Sequence, residues 1–325
     1  MSNTIPYAAK FFMLARERYN ILLRRRAGQK WPWTIDTHLQ TWRFTNIFRE
    51  DDRTMTWFRE NVRDPLSINW REGADHDERV KLVESTVIFR WFNRISTGEI
   101  IKDLLLTDGW DSKEAYRRLK GEDPIFTGAY IIIGVPGQSK LEGVLEAIDD
   151  ARPYLPRMVQ HWTIGSCIRC GGWNNWEQPC PKNPAPDRIH LLRTSITLEE
   201  VWEDLKTIPY IGGFTGHEIV QDLRYTPILE NATDIMTWGN LGPGAIRGIS
   251  WLVYGHGDGY NNSVSQQKLM LKLMVELLEM SRQEEYWPQA WPKWEMHQVE
   301  FLLCETAKYF RSLNGHRQKR RYEHP

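Results

Sequence analysis

The residues best suited to chemistry lie between Leu205 and Ile249 of this 325-residue chain, in the stretch LKTIPYIGGFTGHEIVQDLRYTPILENATDIMTWGNLGPGAIRGI. It holds, in order, a turn with two adjacent glycines, a His217-Glu218 pair, an isolated aspartate at Asp234 and a glycine loop, Gly242-Pro243-Gly244. That is the order a nucleic-acid-processing enzyme needs. The turn Ile208-Pro209-Tyr210-Ile211-Gly212-Gly213 leads into a run with helical apolar spacing through Ile219, Val220 and Leu223. Gly212 and Gly213 are expected to take positive backbone angles and to let another backbone come close. The helix start at Phe214 and Thr215 would point free amides and a positive dipole end outward, a site that holds a phosphate without touching a base. A plain turn between two packed helices shows the same pattern. Gly242, Gly244, Arg247 and Gly248 suit a nest of backbone amides around a phosphate, with an ordinary Gly/Pro turn as the alternative.

Two other clusters carry charge into apolar surroundings. Arg90, Asn93 and Arg94 sit amid Phe89, Trp91 and Phe92, where a guanidinium needs an anionic partner. Phosphate would serve, and so would Asp or Glu from a neighbouring helix. Arg43, Asn46, Arg49, Asp52 and Arg53 fall near helical spacing, so some are expected to share a face, as a pocket or as a surface ion-pair network. Cys167 and Cys170, followed by Gly171-Gly172 and then Cys180, suit a tetrahedral zinc ion completed by His161 or His190. The alternative is three free thiols in a surface loop. Cys304, in FLLCETAKYF, is expected to be a packed core residue.

Helices must position these groups. Thr197, three residues before Glu200, is a capping-box start for a helix through Trp202 and Leu205 to about Lys206, so a helix, a Pro and Gly hairpin and a second helix are expected at about 198–224. Further helices are predicted over Phe11 to Arg26, from Asp36 through Trp42, Ile47 and Phe48, and after the acidic cluster Asp75 to Glu78. That last one carries the apolar face Val80, Val83, Val87, Ile88, Trp91, Phe92 and Ile95. Lys140 to Ala151, Ser265 to Arg282 and Trp294 to Arg311 complete the set. Tyr130-Ile131-Ile132-Ile133 reads as a strand or a buried helical turn. The expectation is a mainly α chain forming a single domain over 1–325, with a cysteine-containing loop insertion at 161–190 and a basic, flexible tail at about 314–325.

Forty-two basic and 42 acidic residues cancel, so the chain has no global basic field, and a DNA-binding face would need charge placed on one side. Arg24-Arg25-Arg26 and the tail His316 to Arg321 can track phosphates, or form a solvated face and a loose end. Of 16 tryptophans, Trp31, Trp33, Trp173, Trp176, Trp287, Trp291 and Trp294 lie at loop edges. Most are expected to pack, and one or two to stack on a base held out of the helix, worth roughly 1–3 kcal/mol. No run of about 18 apolar residues occurs, and MSNTIPYAAKFFMLARERYN lacks a signal-peptide core, so a soluble, intracellular protein with reduced thiols is expected, without a membrane partner. No GxxxxGK[ST] loop is present, which disfavours nucleoside phosphorylation by this chain.

IPYIGGFTG resembles the hairpin of the helix-hairpin-helix DNA glycosylase superfamily, where a Leu-Pro-Gly-Val-Gly run opens the second helix. In NATDIMTW, Asp234 falls where that superfamily keeps its catalytic aspartate. Phe214 stands where bifunctional members have a lysine, and phenylalanine cannot form a Schiff base, so lyase chemistry of that kind is not implied. A narrower resemblance rests on WRFTNIFREDDRTMTWF, VIFRWFNRIST, IFTGAY, GNLGPGAIRG and FLLCETAKYFR. These segments look like the phage thymine-hypermodification proteins, the glycosylase-like amino acid:DNA transferases also described as glutamyl or putrescinyl thymine pyrophosphorylases, some fused to hydroxymethyluracil DNA kinases.

The resemblance implies a transferase that replaces the phosphate of 5-phosphomethyluracil in double-stranded phage DNA with an amino acid or polyamine. It would act after a 5-hydroxymethyluracil DNA kinase, in the cytoplasm of an infected bacterium, and need no cofactor beyond any structural zinc. Asp234, or alternatively Glu218 or His217, would take the proton from the incoming amine. Asn46, Arg49, Asp52, Arg90, Asn93, Arg94 and Arg247 would line the phosphate pocket. Tyr210, Gly212, Gly213, Thr215, Gly242 and Gly244 would hold the DNA backbone while the base is turned out of the stack. A monofunctional glycosylase acting on a modified pyrimidine, or a non-catalytic DNA-binding protein, would share much of this apparatus.

Overall fold

The computed structural model describes residues 4–71, 75–106, 109–163, 195–316 and 321–322. Among these the chain is mainly α-helical and contains no β-strand. The α-helices are α1 (Ala8–Arg26), α2 (Thr37–Thr41), α3 (Arg53–Phe58), α4 (Asp64–Arg71), α5 (His76–Phe92), α6 (Ile95–Leu106) and α7 (Ser112–Leu119). They continue as α8 (Lys140–Ala151), α9 (Leu155–Thr163), α10 (Leu198–Leu205), α11 (Gly213–Leu223), α12 (Pro243–Tyr254), α13 (Val264–Met280) and α14 (Met296–Leu313). No described helix is long and apolar enough to cross a membrane. The chain folds into two compact units: Met1–Met55 with Asp234–Pro325, and Thr56–Thr233.

In the first unit, Phe11 and Phe12 of α1 pack on Trp294, at ring-centroid distances of 5.9 and 5.5 Å, and Trp287 lies 5.0 Å from Trp294. Trp287 and Trp294 are core residues, Trp33 and Trp291 are half-buried, and Trp31 is exposed. Trp173 and Trp176 lie outside the described residues. Helices α12 and α14 approach very closely. A Cβ at Gly248 would lie 2.0 Å from the Leu303 carbonyl oxygen, and one at Gly244 would lie 2.8 Å from Cys304 Sγ. The two glycines, four residues apart, therefore share one helix face pressed against α14. Cys304 is half-buried in that contact rather than a fully enclosed core residue.

Helix α2 is shorter than its sequence suggests. Asp36 caps it, Oδ1 accepting from the His38 and Leu39 amides at 2.8 and 3.0 Å, but the helix stops at Thr41 instead of running through Phe48. The cause is Arg18, buried on α1, whose Nη2 donates to the carbonyls of Phe44 and Thr45 at 2.8 and 2.9 Å. A continuing helix would need those carbonyls for its own ladder. Segment 42–48 therefore stays irregular, and Arg49–Asp51 forms a single 3-10 turn. Tail residues Arg321 and Tyr322 return to this segment. Arg321 bridges Trp42, and the Tyr322 amide donates to the Thr41 carbonyl at 2.9 Å.

In the second unit, α5 is buried along Leu82, Val83 and the run Ser85–Phe92, and it packs against α6, α9 and α11. Asp75 and Glu78 close a reciprocal capping box at its start. At its end Asn93 takes a left-handed conformation, φ 43°, which Asn tolerates better than most residues. Thr197 and Glu200 form the expected box on α10. Residues 130–133 are neither strand nor buried turn. Ile132 is buried, while Ile131 and Ile133 are 82% and 55% exposed. The segment is held along α5 by the Trp91 indole, which donates to the Ile133 carbonyl at 3.1 Å.

Candidate functional site

Helices α10 and α11 flank a tight connection over 206–212. Its left-handed residue is Tyr210, φ 64°, and not a glycine. Gly212 instead has φ −83° and ψ 175° and serves as the N-cap of α11, and Gly213 is already helical. The expectation of positive angles at Gly212 and Gly213 is corrected accordingly. What the glycines supply is space. A Cβ at Gly212 would meet nothing within 4 Å, whereas Gly213 and Gly216 face the Trp202 ring at 3.5 Å. Trp202 locks the hairpin by donating from Nε1 to the Gly213 carbonyl at 2.8 Å, and Lys206 Nζ stands 3.6 Å from its ring centroid. No side chain caps α11, so the first amides of the helix are left for an outside acceptor. Phe214, in that first turn, is 53% exposed.

Beneath the hairpin α11 turns polar groups inward. His217, Glu218, Gln221 and Asp222 are all buried. Arg90 of α5, also buried, donates from Nε to Asp222 Oδ2 at 2.8 Å, pairs with the same oxygen through Nη2, and places Nη1 3.5 Å from Glu218 Oε2. Its anionic partners thus include carboxylates of a neighbouring helix. The Tyr130 hydroxyl donates to the Arg90 carbonyl at 2.9 Å and accepts from Arg90 Nη1 at 3.3 Å. Burial holds the Tyr130 hydroxyl above its ordinary pKa, outweighing the opposing pull of Arg90, so it stays a donor. Gln221 Nε2 lies 3.2 Å from His217 Nε2. Asp222, Tyr130 and Gln221 were missed in the sequence. The i,i+4 spacing of Glu218 and Asp222, which puts two carboxylates on one helix face, was the readable signal.

The remaining expected residues fall in distinct places. Asn93 ends α5, and Arg94 donates to Ser96 Oγ at 2.9 Å with no carboxylate partner among the described residues. In the first unit, Asn46 and Asp52 tie the 46–52 loop together. Asp52 Oδ1 accepts from the Asn46 amide at 3.3 Å and from its Nδ2 at 3.0 Å. Buried Arg49 lies over the Phe301 ring at 5.9 Å. These residues do meet, through a 3-10 turn instead of one helix face. Dense surrounding protein pushes the Asp52 carboxyl up to about 6, against the lowering effects of Asn46, Arg49 and Arg18. Gly242 caps α12 and Gly244 packs in its first turn, so the glycine loop is a helix start. Arg247 is exposed, one turn in. Asp234 is half-buried and opens a turn, its carbonyl accepting from Thr237 and Trp238 at 2.9 and 2.8 Å.

Cys167, Cys170, Cys180 and His190 lie outside the described residues. His161 is described, with Nδ1 3.1 Å from Asp204 Oδ2, an oxygen that also accepts from Trp162 Nε1 at 2.8 Å. Among the described residues no group of three or more His, Cys, Asp or Glu could hold a metal ion.

The mainly helical architecture agrees with the description of the family that this chain matches. The chain belongs to the family described as "5-hmdU DNA kinase, helical domain", which it matches over residues 6–319. Among curated proteins it is similar to a 5-hmdU DNA kinase of Bacillus phage SP10, 25% identical over an alignment of 321 positions that covers 92% of this chain and 44% of that relative. The chain therefore spans less than half the length of that relative. No solved structure matches it.

Proposed function

We propose that the chain is a DNA-modifying transferase of phage thymidine hypermodification, replacing the phosphate of 5-phosphomethyl-deoxyuridine with an amino acid or amine. The observation that carries this reading is the family match over residues 6–319, which supports a role in phage thymidine hypermodification. A kinase acting on a hydroxymethyl base makes the phosphate ester that such a transferase consumes. The upstream partner is then a 5-hydroxymethyluracil DNA kinase, and the setting is the cytoplasm of an infected bacterium.

In this reading α10 and α11 form a helix-hairpin-helix of the DNA glycosylase kind. The open amides at Gly212, Gly213 and Thr215 take a backbone phosphate while the modified base is extruded. The amine lone pair forms a C–N bond to the exocyclic methylene as the C–O bond breaks, and phosphate leaves with the electron pair. The nitrogen then gives up its proton to Asp234, with Glu218 and His217 as alternative acceptors. Arg49, Arg90, Arg94 or Arg247 stabilises the departing dianion. Asn46, Asp52 and Asn93 orient these groups, and Tyr210, Gly242 and Gly244 shape the backbone contacts. No cofactor takes part. A structural zinc on Cys167, Cys170 and Cys180 belongs to the same reading, and metal analysis of purified protein finding one zinc per chain, lost on Cys167→Ser, tests it.

The function itself is tested by nucleoside mass spectrometry of 5-phosphomethyluracil DNA incubated with the protein and a mixture of amino acids and polyamines. The expected product has lost phosphate and gained one amine, and its mass names the donor. Abasic sites would replace this reading with a monofunctional glycosylase. Bound but unchanged DNA would replace it with a binding module.

A further inference from the structure

The first unit contains a cavity of about 940 Å³ lined by α1, the 29–39 segment, Glu285, Tyr286 and Tyr309. That volume is near the upper end of small-molecule pockets, far more than an inorganic ion needs. Two of its three carboxylates are engaged within the protein. Glu17 accepts from Arg24 Nη1 at 3.0 Å, and Asp36 caps α2 with one oxygen and takes the Tyr309 hydroxyl at 2.5 Å with the other. Burial first, then the neighbouring exposed Glu285 carboxylate, hold the Tyr286 hydroxyl above its ordinary pKa. Of the two lining cations, Arg24 is committed to Glu17 and Arg16 is not. Arg16 makes one hydrogen bond among the described residues, from Nη1 to the Glu285 carbonyl at 3.0 Å, which leaves most of its guanidinium fork open. Arg25, outside the lining, rides on the Trp33 ring at 5.2 Å with no carboxylate partner among the described residues. Half-buried Asn20 lines the same space, and its amide makes no hydrogen bond among the described residues. The rings of Tyr286 and Trp33 supply flat apolar walls.

An open guanidinium, an unused donor–acceptor amide and aromatic walls match a phosphate, a base edge and a base face respectively. With Glu17 and Asp36 engaged, a single exposed carboxylate, Glu285, is a poor match for a polycation. We propose that this cavity binds a nucleotide unit, its phosphate at Arg16, its base edge at Asn20 and its ring against Tyr286 and Trp33. The unit can come from a free mononucleotide or from an unpaired nucleotide in a DNA strand. The assignment stands whether or not amine transfer occurs.

Calorimetric titration of the full chain with thymidine 5′-monophosphate, with a single-stranded oligonucleotide and with the matching duplex tests it. Binding of the mononucleotide at one site, weakened about tenfold or more by Arg16→Gln and by Asn20→Ala, identifies a free-nucleotide site. Saturable binding of the single strand alone, with the same sensitivity to both variants, identifies an unpaired nucleotide of DNA. Arg16 is on the surface, so Arg16→Gln should keep the wild-type melting temperature, and Arg16→Lys should recover part of the affinity. Absence of binding by both ligands overturns the proposal. So does affinity unmoved by either substitution, or spermidine binding in preference to both.

Discussion

Helices α11 and α12 start alike and are anchored differently. Both are capped by a glycine, Gly212 at φ −83°, ψ 175° and Gly242 at φ −71°, ψ 168°, neither helix has a side-chain cap, and a Cβ at either glycine would meet nothing within 4 Å. Beyond that residue they diverge. The internal glycines of α12, Gly244 and Gly248, lie against Cys304 and the Leu303 backbone, so α12 is fixed by steric contact. α11 is fixed by charge, through Asp222 on buried Arg90. A glycine just ahead of a helix leaves room for an anion, while glycines four apart inside one mark a closely packed face. The motif GNLGPGAIRG contains both kinds, which is why it reads equally well as phosphate nest and as ordinary turn.

The comparison can be broken most forcefully at Asp222. Asp222→Ala leaves Arg90 buried without its principal partner and should lower the unfolding free energy by about 3–5 kcal/mol. Urea denaturation measures this, and a loss below about 1 kcal/mol would mean that charge does not anchor α11. Gly248→Ala drives a methyl group into the Leu303 carbonyl and should cost about 3 kcal/mol, with Gly244→Ala nearer 1 because the Cys304 thiol can rotate away. Equal effects at the two glycines would contradict the close approach at Gly248. Gly212→Ala should change stability by under about 1 kcal/mol, since its Cβ would point into open space. It should still weaken duplex DNA binding measured by fluorescence anisotropy, and unchanged affinity would remove the hairpin from the DNA contact.

A pH dependence is expected in the loop of Asp52, outside both helices. Its folded-state pKa of about 6 exceeds its ordinary 3.8, so the unfolded chain loses the proton first as pH rises. The group's contribution is then greatest below 3.8, falls through the window up to about 6 and is flat above it. Asp52→Asn should flatten that fall. The difference in melting temperature between wild type and variant, followed from pH 4 to 7, should therefore vary across the window and stay constant above it.

The helix boundaries were legible where they are set locally. Thr197 with Glu200 carries its cap within four residues, and the observed box forms as the spacing suggests, whereas the helix expected after Asp75 to Glu78 starts inside that cluster, at His76, because Asp75 is itself the cap. The reading failed where a distant side chain decides. Nothing between Asp36 and Phe48 announces that Arg18, 26 residues before Phe44, takes the carbonyls a longer α2 would need. The left-handed turn residue was assigned to the glycines because they adopt that conformation at least cost, yet Tyr210 occupies it. At Arg90 the sequence showed that an anion was needed but could not choose among anions. Asp222, 132 residues away, is an answer only the fold supplies.

The first unit is assembled from residues on either side of the second, Met1–Met55 and Asp234–Pro325. During synthesis α1 leaves the ribosome long before α14 exists, and at about 5–20 residues per second the 56–233 stretch alone imposes a wait of roughly ten seconds or more. Phe11 and Phe12 spend that interval without Trp294 to cover them. The second unit, contiguous in sequence, meets no such delay. The vulnerable nascent species is therefore an N-terminal helix with an uncovered aromatic face, the kind of segment that chaperones bind and that makes expression yield depend on temperature.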